Sequence, residues 1–88
     1  MKINENFLLR EVAGNAVVLP VGEAADRFSG MIKLNETGVS IWRILEEGAD
    51  EETVVTSICE EYDIDEATAR ADVRRFITTL QKAGILED

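Results

Sequence analysis

No histidine occurs among the 88 residues, so the side chain best placed to move protons near neutral pH is missing. Cys59 is the one cysteine. It falls on an apolar helical stripe with no imidazole to activate it, which reads as a structural thiol. No disulfide can form within the chain, as suits a reducing cytoplasm. The longest apolar runs, such as Ala16-Val17-Val18-Leu19, are far too short to cross a bilayer. The opening Met1-Lys2-Ile3-Asn4 leads no charged segment into an apolar one, so no signal peptide is expected. Glycines stand singly, with no phosphate-cradling run, and the acids lack the D-x-D-x-D-G spacing of a calcium loop. No catalytic group, metal site or cofactor is therefore expected. The reading is a cytoplasmic binding module with no membrane segment, not an enzyme.

Basic charge is scarce too, and unevenly spread. Nine Lys and Arg face eighteen Asp and Glu, a formal net charge of −9. Residues 1 to 44 balance at five of each sign, whereas ten acids and no base lie between Glu46 and Glu66. Four cations and a single acid, Asp72, then fall between Arg70 and Lys82. Most of the acids read as solvated surface that keeps a small protein soluble. An acidic helical chain of this length also invites comparison with acyl carriers. Their prosthetic group needs an Asp-Ser-Leu context, but Ser29, Ser40 and Ser57 follow Phe28, Val39 and Thr56. That reading fails.

Length suits a single domain over residues 1–88. Phe7 to Ala13 reads as a strand, Gly14-Asn15 as a turn, and Ala16 to Leu19 as the returning strand, stopped by Pro20. Gly22 to Gly30 reads as an exposed loop, and Met31 to Leu34 as a short third strand. Lys33 in so short a strand is one way natural sheets discourage unwanted edge pairing. Asn35 can cap a helix over Glu36 to Glu47 that Gly48 ends. Trp42 on that helix reads as a core anchor in preference to a ligand-stacking ring. Asp50 can cap a second helix carrying Val54, Val55, Ile58, Cys59 and Tyr62 on one stripe. Asp65 can cap a third, with Ala69, Val73, Phe76, Ile77 and Leu80 facing inward and Gly84 as its stop. Ile85-Leu86 can then fold back on the core. Three strands followed by three amphipathic helices make an α+β domain, the helices packed on one side of the sheet.

On the third helix, Arg70, Arg74 and Gln81 share one flank beside Ile77, while Arg75 and Lys82 point more toward solvent. Two readings stand level here. Either these cations balance nearby acids, or they form a charged rim beside an apolar groove.

The ordered set Leu34-Asn35-Glu36-Thr37-Gly38, Ile41-Trp42, Tyr62-Asp63-Ile64-Asp65, Asp72-Val73 with Phe76 and Leu80, and Gly84-Ile85-Leu86 resembles the PqqD-like family. The resemblance is strongest from Gly30 to Leu86. The Gly22–Gly30 loop and the ending look like the generic family more than its quinone-pathway branch. The resemblance implies a winged-helix-like fold with a three-stranded antiparallel N-terminal sheet. It further implies a recognition element that binds the leader of a ribosomally made precursor peptide by strand addition. The partners so implied are that leader and a modifying enzyme, often of the radical SAM class. Carried onto this sequence, the peptide site is Met31, Ile32, Lys33 and Leu34 on the strand, with Arg70, Val73, Arg74, Ile77 and Gln81 on the helix.

The alternative is a winged-helix DNA-binding regulator, with the basic third helix reading the duplex. Ten acids on the preceding segment oppose it, because affinity for DNA comes largely from neutralising phosphates. No nucleic-acid partner is therefore expected. A docking subunit that holds an enzyme and binds no peptide remains a third reading of the same sequence.

Overall fold

The computed structural model describes residues 1–27 and 31–87. Strands β2 (Phe7–Val12), β3 (Asn15–Pro20) and β4 (Ile32–Leu34) form an antiparallel sheet in that order, so β4 is an edge. A second pair of strands, β1 (Lys2–Ile3) and β5 (Leu86–Glu87), joins the two ends of the chain. Between β3 and β4 lies one turn of helix, α1 (Ala24–Arg27), within the segment expected as a loop. Ala24 is buried there, which ties that turn to the core. The remainder of the expected loop, Phe28–Gly30, lies outside the described residues.

The β2–β3 turn falls one residue earlier than expected. Val12 pairs with Asn15, leaving Ala13 and Gly14 as a two-residue loop, both at positive φ (51° and 81°). Such loops match the twist of the strands, but alanine is strained in the left-handed region. Ala13→Asn should therefore raise the urea midpoint, by about 1 kcal/mol or less in stability. An unchanged or lowered midpoint would place no strain at Ala13.

Three helices follow: α2 (Glu36–Glu46), α3 (Glu51–Tyr62) and α4 (Glu66–Lys82). Each starts on the expected cap. Asn35 accepts from the Gly38 N–H at 2.8 Å, Asp50 from Thr53 at 2.8 Å, and Asp65 from Thr68 at 3.2 Å. These bonds to the ionised form hold the Asp50 and Asp65 carboxyls below their ordinary 3.8. At the end of α4, Gly84 (φ 76°) donates to the Gln81 carbonyl and Ile85 to the Leu80 carbonyl. That pattern closes the helix and turns the chain back toward the core, where Ile85 and Leu86 are buried. The Asn4 N–H donates to the Ile85 carbonyl at 2.7 Å, and β5 then meets β1.

The inner face of the sheet (Phe7, Leu9, Val18, Ile32, Leu34) packs on Ile41, Trp42 and Leu45 of α2 and on Val73, Ile77 and Leu80 of α4. Trp42 is fully buried and serves as the expected anchor. Cys59 is only partly buried, at the margin of that core. Tyr62 fastens α3 to α2: its hydroxyl lies 2.7 Å from Ser40 Oγ and donates to the Glu36 carbonyl at 3.3 Å.

Candidate functional site

Backbone phase decides which groups of β4 are free. In a two-residue antiparallel hairpin the residues flanking the turn exchange both hydrogen bonds, and bonded pairs then alternate. Starting from Val12–Asn15, the bonded pairs are Arg10–Val17 and Leu8–Leu19. Donation from Val21 to the Asn6 carbonyl at 2.7 Å continues that phase. Pro20, which has no N–H, falls where β2 asks for none. The odd residues of β3 thus serve β2, and Ala16 and Val18 turn their N–H and C=O toward β4. Their partners across the β3–β4 register are Leu34 and Ile32. Lys33 pairs with Val17 in the unbonded position, so its own N–H and C=O point away from the sheet. Among the described residues no strand pairs with the outward edge of β4.

Beside that edge lies a cleft of about 390 Å³. One wall is Ile32, Lys33 and Leu34, and the start of α2 supplies Asn35, Thr37 and Gly38. The opposite wall is α4, through Asp72, Arg75, Phe76 and Thr79, with Ile41 and Leu80 at the base. Gly38 fits this floor for a steric reason. A Cβ there would stand 3.2 Å from Asn35 Oδ1, 3.3 Å from Phe76 Cε1 and 3.4 Å from Leu34 Cβ. With only hydrogen at that position, the Phe76 ring approaches the first turn of α2 while the Asn35 cap bond is kept.

Charge at the cleft runs against that of the whole molecule. Lys33 is exposed and has no ion pair among the described residues. Arg75, with 78% of its side chain exposed, makes a single ion pair among the described residues, 3.7 Å from Asp72. Two cations and one acid therefore rim an apolar slot on a chain of net charge −9.

The strand residues expected for a peptide site, Ile32, Lys33 and Leu34, line this cleft, and Met31 stands exposed just before them. The helix residues expected with them do not. Val73 and Ile77 are buried in the core, and Gln81 is exposed near the end of α4, outside the cleft lining. Arg70 and Arg74 occupy the opposite flank, against α3. Arg70 pairs with both carboxylate oxygens of Glu52 and, at 2.7 Å, with Glu66; Arg74 pairs with Glu51 at 2.7 Å. The Arg70 guanidinium holds the Glu52 carboxyl below its usual range, and the Arg70 pKa is itself raised by Glu52 and Glu66.

A helix with a central core stripe has two flanks, and sequence reasoning chose the more basic one. The other carries Asp72, Arg75, Phe76 and Thr79, spaced i, i+3, i+4 and i+7. Phe76 at the stripe's margin was the available signal. The pairing also bears on the DNA alternative, since a reading helix needs cations free for phosphate, and Arg70 and Arg74 are engaged with glutamates. Among the described residues no helix is long and apolar enough to cross a membrane.

The family model described as coenzyme PQQ synthesis protein D (PqqD) matches residues 15–86. Among solved structures, TbiB1 in complex with the TbiA(beta) leader peptide is 31% identical over 99% of this chain and 95% of that one, with a TM-score of 0.79. A lasso peptide synthetase B1 complexed with the leader peptide is 18% identical over 99% and 96%, with a TM-score of 0.77, and speaks for the fold alone. No curated protein sequence matches closely enough to count as a relative.

Proposed function

The chain belongs to the PqqD family, and we propose from that premise that its 88 residues act as one recognition domain for the leader of a ribosomally made precursor peptide. The leader adds as a strand along β4, with alternate side chains lowered into the cleft against Phe76, and is presented there to a modifying enzyme. The observation that carries this is the juxtaposition of an unpaired strand edge with an apolar slot. Main-chain bonds supply affinity in such a mode, and pockets for alternate side chains supply specificity. The 31% identical neighbour, bound to a leader peptide, supports the same reading.

The peptide-contacting residues on this reading are Met31, Ile32, Lys33 and Leu34 with Arg75, Phe76 and Thr79. Val73 and Ile77 hold α4 to the core, Arg70 and Arg74 tie it to α3, and Gln81 lies exposed outside the cleft. The protein carries and catalyses nothing itself: it has no histidine, and its lone thiol belongs to the core margin. Its partner enzyme alters the precursor beyond the leader. On this reading that enzyme is of the radical SAM class, as the family resemblance implies. A reducing cytoplasm suits both the free thiol and ribosomal precursors.

A nitrogen-15 NMR titration tests the site, using a synthetic leader from the precursor gene nearest this one in its genome. Amide shifts should concentrate at residues 32–38 and at Phe76 and Thr79, leaving Arg70 and Arg74 still. Shifts on the acidic face of α3, or none at millimolar peptide, would overturn the proposal.

A further inference from the structure

We infer that the segment held on β4 contains an apolar–acidic–apolar triplet, with the acid directly across from Lys33. The inference rests on the leader-binding reading above and adds a register and a charge to it. Residues side by side on neighbouring strands point to the same face of a sheet. Ile32 and Leu34 face inward with the core, whereas Lys33 lies on the outer face with its cross-strand neighbours Val17 and Arg10. A fourth strand extends these rows. Its residues beside Ile32 and Leu34 enter the cleft toward Phe76 and Leu80, so both are apolar. The residue between them stands on the outer face, next to the Lys33 ammonium.

That ammonium has no acidic partner among the described residues, and the row behind it offers only buried Val17 and then a second cation, Arg10. Among the described residues the open position is therefore flanked on its own face by cations alone, the Asp72 carboxylate lying across the cleft beside Arg75. Lys33 also has its N–H and C=O turned to the same edge, so in a strand added antiparallel to β4 its opposite residue is the one locked by paired main-chain bonds. Register and charge thus converge on one residue of the ligand. Arg75 on the far rim adds to the same preference for an acidic segment. The remainder of the molecule is acidic and would repel such a peptide at long range, so the discrimination belongs to this rim and operates within roughly a Debye length of about 10 Å at 0.1 M salt.

The probe is a phage-displayed library of random peptides, panned against the wild-type protein and against Lys33→Glu. Wild type should enrich triplets with Asp or Glu between two apolar residues, and Lys33→Glu should replace that centre with Lys or Arg. Synthetic peptides with Glu or Lys at the centre, titrated by fluorescence anisotropy against both proteins, should then swing in preference by roughly three- to tenfold at low salt. If both proteins enrich the apolar pair with an indifferent centre, the register and charge inference falls while the leader reading stands. If no apolar pair is enriched, or if enrichment is unchanged by Lys33→Pro, the cleft itself is not the peptide site and both readings fall.

Discussion

Lys33→Pro should abolish leader binding and leave the protein folded, whereas Ile32→Pro should unfold the sheet edge. The two residues are neighbours, yet their amides face opposite ways. The Lys33 N–H points out of the sheet, and Ile32 is bonded inward to Val18. Proline is tolerated on an edge strand when its missing N–H faced solvent. In the peptide complex the same ring occupies the position from which the donor would reach the ligand. One lost main-chain bond costs about 0.5–1.5 kcal/mol, and exclusion of the flanking bonds adds to it. Affinity should therefore fall by more than roughly tenfold. Lys33→Ala is the control for the missing charge and should weaken binding far less. At position 32, proline removes a bond from a strand of only three residues and strands a carbonyl on β3, at about 1–3 kcal/mol of stability. Circular dichroism in urea separates the two, and anisotropy with a labelled leader completes the comparison. A Lys33→Pro variant that binds normally would mean that strand addition does not occur at β4.

What the sequence made legible was what short-range chemistry decides. The Asn35, Asp50 and Asp65 caps each satisfy an N–H three residues on, so they are visible without any tertiary knowledge. Gly84 followed by Ile85-Leu86 was readable for the same reason, since a left-handed stop with an apolar residue after it closes a helix locally. The pairing of β1 with β5 was not readable. Two residues at each end meet across more than eighty positions of chain, and strands that short carry no periodic signal. The hairpin turn was displaced by one residue because Ala13 adopts a positive φ that its side chain argues against. Of the residues expected at the site, the strand residues lie at the cleft and the helix residues lie away from it. Lys33 marked the edge strand, but the choice between the two flanks of α4 depended on where α3 packs. Once α3 lies alongside, Glu51 and Glu52 meet Arg74 and Arg70, and the basic flank becomes a structural contact.

Phe76→Ala should be the most damaging change on the helix side of the cleft. The ring is half-buried, with its Cε1 close over Gly38, and it forms much of the apolar wall that faces β4. Truncation removes some tens of Å² of surface that the leader would cover, or about 1–2 kcal/mol at 25 cal/mol per Å². Leader affinity should then drop roughly five- to thirtyfold. Stability should fall more modestly than for a fully buried phenylalanine, because part of the ring already meets solvent. Arg75→Glu should weaken binding as well, and its effect should shrink as salt rises, since screening removes the wild-type advantage too. Arg74→Glu is the informative contrast. That arginine carries the same charge one residue earlier but turns to Glu51 across an exposed pair, which contributes little to stability. Its replacement should leave affinity within about twofold of wild type, the residue of effect expected from a charge beyond the cleft. Calorimetric titration of the three variants with one leader decides the matter. Equal losses for Arg74→Glu and Arg75→Glu, with Phe76→Ala unaffected, would move the peptide to the α3 flank and away from the cleft.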